Sequence, residues 1–387
     1  MKYGFDEPVV RRGTGCYKWD EPEGDDVLPL WVADMDFRAA PAIRQAVERR
    51  AAHGVFGYTK VGESYYDAVI SWFRRRHGWT IDRSSLLYTT GVVPALSCAV
   101  KALTMPGERV LLLTPVYNCF FSSIRNNGCL VAESELLRTS NGRYEVDWDS
   151  FERKCSDEKT TLYVLCNPHN PVGRMWTEDE LLRMADICRR HGVRIVSDEI
   201  HCELAMPGHR FVPFASIADE WVRRYAVVLG SPSKSFNIAG LQMAHIVCAD
   251  AATRRRIDRA ININEVCDVN PFAPEAVVAA YNESEEWLDA LNEYIWQNYQ
   301  ALCRFFSAEL PQVKVTPLEA TYLAWLDVSA FGQKSDSLVE RLIREGRVML
   351  SSGTLYGSAG EGFVRVNLAC RRSLLEEALR RIGKVLG

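Results

Sequence analysis

Residues 110–113, 161–166, 193–196, 225–229 and 243–248 are short apolar runs rich in β-branched and aromatic side chains, and they predict strands. Between them, residues 94–103, 178–190 and 251–261 carry apolar side chains at three- and four-residue intervals, the period of a helix with one buried face. Thr177 and Glu180 stand at capping-box spacing before the second of these helices, and Gly192 closes it. Strands apolar on both faces and separated by helices predict a mainly parallel sheet covered on both sides. From Pro274 to about Ala308 the helical pattern lengthens. A second α/β pattern follows, with strands near 314–316, 322–327 and 363–368 and a last helix from Ser373. The expected division is a large domain over 40–285 and a smaller α/β domain built from 1–39 and 286–387.

Composition narrows the class. A chain of 387 residues exceeds one ordinary domain, and 47% hydrophobic against 25% charged residues is a globular balance. Lys and Arg total 46 against 50 for Asp and Glu, a net charge of −4, which argues against nucleic acid or an anionic membrane as a partner. The first fifteen residues carry Asp6, Glu7, Arg11 and Arg12 and lack the apolar core of a signal peptide. No apolar run reaches the ~20 residues needed to span a bilayer. Twelve cysteines are scattered without a C-x-x-C pair or a cysteine–histidine grouping at zinc spacing, so no metal site is expected. These features predict a reduced, cytoplasmic protein.

Four segments at the ends of predicted strands carry the chemistry, and in open α/β sheets ligands gather beyond the carboxyl ends of strands. In Thr89-Thr90-Gly91-Val92-Val93-Pro94, Gly91 lets backbone approach a ligand, and the free amides of Val92 and Val93 open a helix. That is an anion site for a phosphate; a plain strand-to-helix turn reads the same way. Cys166-Asn167-Pro168-His169-Asn170-Pro171 doubles the Asn-Pro step, forcing a turn from which Asn170 can project an amide. Asp198 follows the run 193–196 and is placed either to hold a pyridinium N–H or to cap a helix. Ser231-Pro232-Ser233-Lys234 follows the run 225–229, and a lysine in such a crevice suits an enclosed amine of lowered proton affinity. The chain has only ten lysines against 36 arginines.

The order and spacing of Asn170, Asp198 and Lys234 resemble fold-type I pyridoxal 5′-phosphate (PLP) enzymes, the class I/II aminotransferase superfamily, from about Leu30 to Leu368. The resemblance implies a PLP-dependent transferase-like α/β fold, with a mainly parallel sheet of the seven-stranded type between helices. It implies PLP as cofactor, Lys234 joined to it as a Schiff base, Asp198 on the ring nitrogen and Asn170 on the ring hydroxyl. Gly91, Val92, Val93 and Ser231 fall at the phosphate. Tyr117 matches the aromatic stacked on the ring, and otherwise reads as a core tyrosine. Tyr58 matches a tyrosine that reaches the phosphate of a neighbouring subunit, which implies a homodimer with the active site at its interface. Arg365 matches the arginine that grips the α-carboxylate of an amino-acid substrate bidentately.

Two positions depart from the usual aminotransferase pattern. Gln242 replaces a phosphate-binding arginine, and His201, at the cofactor, replaces a tyrosine. These departures resemble the cystathionine β-lyase, or cysteine-S-conjugate β-lyase, branch. So do the blocks Trp31-Val32-Ala33-Asp34-Met35-Asp36-Phe37 and Phe236-Asn237-Ile238-Ala239-Gly240-Leu241-Gln242. The implied reaction is elimination of a thiolate from Cβ, yielding pyruvate and ammonia; an aminotransferase uses the same residues, and a non-catalytic PLP-binding regulator would keep the cofactor set. Ser231-Pro232-Ser233-Lys234 also fits S-x-x-K, but no lysine is followed by Ser or Thr and then Gly, as the penicillin-binding nucleophile requires. No G-x-G-x-x-G follows the first strand, which disfavours a nicotinamide enzyme.

Overall fold

The computed structural model describes residues 3–263 and 268–387. Eight strands form the large sheet: β1 (Leu86–Thr89), β2 (Arg109–Thr114), β3 (Leu130–Arg138), β4 (Tyr144–Val146), β5 (Thr160–Cys166), β6 (Arg194–Asp198), β7 (Val227–Gly230) and β8 (Ala244–Cys248). Their spatial order is β1-β8-β7-β6-β5-β2-β3-β4. The pairings from β7 through β3 are parallel, β8 runs antiparallel to both its neighbours, and β4 folds back on β3. The expected seven-stranded sheet therefore gains an edge strand. Gly142, at φ 82°, turns the chain into this hairpin, and Thr139 and Arg143 close it with a backbone bond of 2.8 Å. β4 is too short to register as an apolar run.

Alternation along the strands explains why both faces are covered. Val110, Leu112, Leu162 and Val164 point into one core with helices α1 (Val92–Leu103) and α2 (Ala251–Asn262). Leu111, Leu113, Tyr163 and Leu165 point into the opposite core, with the helix Glu178–Arg190. The Thr177–Glu180 capping box of that helix is present in full. Two expectations shift. Tyr225 ends a helix, Glu220–Tyr225, capped by Asp219, so the strand begins only at Val227. The long pattern near 274–308 is two helices, Ala273–Glu283 and Glu285–Glu309, parted at Ser284, whose hydroxyl donates to the Ala279 carbonyl at 3.0 Å.

The second sheet is antiparallel, built from Lys314–Val315, Leu323–Asp327, Phe363–Asn367 and Ser351–Ser352 in that spatial order. Its buried side chains join Trp287, Leu291, Ile295 and Leu302 of the 25-residue helix Glu285–Glu309 in one core. No helix among the described residues is long and apolar enough to cross a membrane.

Candidate active site

Because β8 reverses between β7 and β1, six strands direct their carboxyl ends to one edge of the large sheet, β1, β7, β6, β5, β2 and β3, and the site lies beyond the first five. The turns beyond them bring Gly91, Val92, Val93, Tyr117, Asn170, Asp198, His201 and Lys234 around a single cavity of about 200 Å³. Register makes this possible, since Asp198 lies between Cys166 of β5 and Leu229 of β7.

Lys234 donates from Nζ to the carbonyl of Ala33 at 2.5 Å. Loss of water around the amine lowers its pKa to about 8, and the Arg365 cation adds to the effect, while Asp34 and Asp198 oppose it. Burial raises the Asp198 carboxyl to about 7 against the N–H of Ile200, which donates at 3.1 Å, and the cation of Lys234. His201 is driven down to about 3 by burial and by the cations of Lys234 and Arg365, so its imidazole is neutral; its Nδ1 has no partner. Burial pushes the half-buried Tyr117 phenol well above its usual range.

Arg365 is 4% exposed and held on several sides. Its Nη2 donates to the carbonyl of Trp31 at 2.8 Å, its Nη1 to Asn170 Oδ1 at 3.2 Å, and its guanidinium lies 5.0 Å from the centre of the Tyr356 ring. Its Nε remains unpartnered.

Three expected residues stand differently. Ser231 is outside the cavity lining: its hydroxyl donates to the Met243 carbonyl at 2.5 Å and accepts from the Ser233 N–H at 3.1 Å, bracing the turn that carries Lys234. Tyr58 is 97% exposed and outside the cavity of its own chain. Gly91 has extended backbone, φ 165°, so torsion does not demand glycine there. An added Cβ would come no nearer than 3.4 Å to Pro94, and the missing side chain serves instead to keep the cavity open.

A feature absent from the sequence reading is the tethering of residues 31–35. Each carbonyl of this segment accepts from a side chain: Trp31 from Arg365 and Ser351, Val32 and Asp34 from Asn367 at 2.6 Å each, Ala33 from Lys234 and Tyr322, and Met35 from Asn237 and Arg11. Tyr322 reaches Ala33 at 2.9 Å and packs edge-on to His201 with centroids 6.0 Å apart. Thr321, just before it, is forced to φ 74°, a conformation that costs a β-branched residue about 1–3 kcal/mol. Asn367 and Asn237 lie within segments already singled out, two residues after Arg365 and three after Lys234, and a polar side chain so close to each was the available signal. Tyr322 offered none, because it sits in an ordinary apolar strand pattern.

An α/β sheet whose converging strand ends enclose a lysine and a carboxylate, with a buried arginine of the second sheet bonded to Asn170 beside them, defines the class, and the comparisons agree. Residues 25–382 match the aminotransferase class I and II family, and the chain belongs to it. Cystathionine beta-lyase PatB of Bacillus subtilis (strain 168) is 43% identical, covering 99% of both chains. Cystalysin from Treponema denticola, whose crystal structure contains a pyridoxal 5′-phosphate cofactor, superposes with a TM-score of 0.96 at 35% identity, over 100% of this chain and 99% of that one. The PLP-bound C-S lyase from Staphylococcus hominis gives 0.92 at 32% identity, over 99% of each.

Proposed function

We propose that this chain is a PLP-dependent carbon–sulfur β-lyase that cleaves cystathionine or related cysteine S-conjugates to a thiol, pyruvate and ammonia. The observation that carries the reading is Lys234, whose desolvated amine shares one cavity with Asp198 and Asn170 and feels the Arg365 cation. The full-length similarity to a cystathionine beta-lyase and to C-S lyases supports the reaction.

The residues fit the cofactor. His201 Nδ1 and Arg365 Nε are buried polar atoms without partners, a deficit a native site resolves with a ligand. Lys234, half-neutral near pH 8, is available as a nucleophile for the aldehyde carbon. Asp198 would hold the ring nitrogen and Tyr117 a ring face. Asn170, whose Oδ1 is engaged by Arg365, has its amide N–H for the ring hydroxyl beside the neutral His201. Val92 and Val93 open helix α1 with amides that lack intrahelical acceptors, and with Gly91 they would receive the phosphate; Ser231 would join them by turning its hydroxyl from the Met243 carbonyl. When bound, the group supplies an electron sink for the pair left at the substrate Cα.

The chain's own residues do the rest. Arg365 would take the α-carboxylate, its guanidinium aimed by Trp31 and Asn170. Lys234 would accept the proton from Cα and pass it to the sulfur as the Cβ–S bond breaks, so that the thiol leaves neutral, a transfer suited to a group poised near neutrality. The proposal includes a cytoplasmic homodimer in which Tyr58 of a second copy completes the phosphate site, and domains of 40–285 and of 1–39 with 286–387. The test is incubation with cystathionine and no 2-oxo acid. Continuous release of pyruvate, ammonia and thiol supports lysis; a single stoichiometric burst that stalls until a 2-oxo acid is added means aminotransferase; no chemistry despite bound PLP means a regulator.

A further inference from the structure

Glu199 follows Asp198 but lies outside the cavity lining, and its side chain has no exposed surface. Its two oxygens are treated unequally. Oε1 accepts from the Phe214 N–H at 2.8 Å, from Ser197 Oγ at 2.9 Å and from Asn167 Nδ2 at 3.5 Å. Oε2 is sealed from water and has no partner. No Lys or Arg pairs with Glu199 among the described residues. An ionised carboxylate shares its charge between both oxygens, so ionisation here would strand charge on an atom with neither donor nor solvent.

The same amide that donates to Glu199 has its own deficit. Asn167 Oδ1 is buried without a donor. Its Nδ2 donates both to Glu199 and to the Val212 carbonyl, the latter at 3.2 Å, which fixes the orientation of the amide: turned over, its oxygen would face two acceptors. One group lacks a partner that a proton would supply, and the neighbouring group lacks a donor.

We propose that Glu199 is a neutral carboxylic acid donating its Oε2 proton to Asn167 Oδ1, closing a two-bond acid–amide ring, and that this pair positions Asp198 and leaves it the sole negative charge at the end of β6. Burial supports the neutral form, raising Glu199 to about 8 against the hydrogen bonds from Phe214, Ser197 and Asn167, which lower it, with the charge of Asp198 adding to the rise. A second titratable neighbour, the Cys202 thiol, is held neutral by burial, with the carboxyls of Glu203 and Glu199 adding to the effect. A second anion beside Asp198 would favour its protonation and weaken its hold on a cationic ring nitrogen. The pair also sits where three strand ends are tied together, because the Asn167 N–H donates to the Asp198 carbonyl and the Glu199 N–H to the Leu229 carbonyl, both at 2.9 Å. The role given to Asp198 rests on the proposed function; the neutrality of Glu199 does not.

The experiment is isotope-edited infrared spectroscopy of cofactor-free protein carrying carboxyl-¹³C glutamate. At neutral pH the wild type is expected to show a protonated-carboxyl band that shifts in D₂O and is missing from Glu199→Gln. In the holoenzyme, Glu199→Ala is expected to lose about tenfold in turnover with a displaced pH profile, and Glu199→Gln, which keeps one donor and one acceptor, to restore both. Absence of a protonated glutamate in the wild type overturns the proposal, as does a Gln variant whose pH profile moves as far as that of Ala. If neither variant folds, ¹³C NMR of the labelled wild type decides: one glutamate still in the acid form at neutral pH supports it, and complete ionisation refutes it. Failure of the lyase reading alone would leave the band in place.

Discussion

Two aromatic-bearing segments near the beginning of the chain contrast sharply. Residues 31–35 are fastened carbonyl by carbonyl to side chains of both sheets' flanking elements. Residues 55–58 are nearly unfastened: Val55 is 63% exposed, Phe56 56% and Tyr58 97%, with the Phe56 ring against Phe272 and under Arg50. The first segment completes a wall of the cavity from within its own chain. The second spends apolar surface on water, which monomeric proteins do sparingly and interfaces routinely. The site is thus finished on one side by intramolecular hydrogen bonds and, in the proposed dimer, on the other by a second copy.

The largest effect tests what the tethered segment holds. Lys234→Ala should cost at least about four powers of ten in turnover and lose the borohydride-trappable adduct with the cofactor. A covalent adduct on another lysine of that variant would break the assignment. Next comes the fastening itself. Asn367→Ala removes three hydrogen bonds, two to the segment and one accepted from the Ala369 N–H, and should lower stability by about 2–3 kcal/mol in denaturant titration, whereas Tyr58→Ala should change it by less than about 0.5. Equal losses would erase the contrast between the segments.

Tyr58→Phe sharpens the other side, with PLP retention expected to fall about tenfold as one hydrogen bond is lost. Light scattering should give twice the 43.8 kDa chain mass, and a fully active species at the single-chain mass would exclude a contribution across subunits. The smallest effect is in pH. Reconstitution of cofactor-free protein needs the neutral amine of Lys234, whose pKa is lowered to about 8, so the rate should rise as pH increases through 8 and level off above it. A rate still climbing toward the ordinary lysine range near 10.4 would mean that the amine is not desolvated.

Much of this was legible beforehand. Most of the parallel strands read from their two-faced apolar runs, and the residues placed at their ends converge because register and crossover direction leave one edge for them; Leu130–Arg138 escaped, because its side chains alternate between core and solvent. The edge strand Tyr144–Val146 escaped because three residues make no pattern, and Tyr225 was misread because a short capped helix adjoins the apolar strand without a break. In the site, side chains with characteristic chemistry were found and contacts to main chain were missed. Asn367, Tyr322 and Asn237 act by finding backbone carbonyls far away in sequence, and no local spacing encodes such a meeting. Asn167 and Glu199 were passed over for the same reason, each overshadowed by the functional residue beside it.

The acceptor that receives both the Lys234 amine and the Tyr322 hydroxyl is the peptide oxygen of residue 33. A mutational scan is blind to such an atom, since every replacement of Ala33 carries the same oxygen. Position 33 can therefore drift over evolutionary time wherever the new side chain leaves the backbone course intact, while the contact persists without leaving a trace in any residue alphabet. Reading its contribution would take backbone chemistry: a depsipeptide bearing an ester at the 33–34 linkage weakens that acceptor, at the cost of the Asp34 N–H that donates to the Val32 carbonyl, and leaves the side chains of Ala33, Lys234 and Tyr322 as they were.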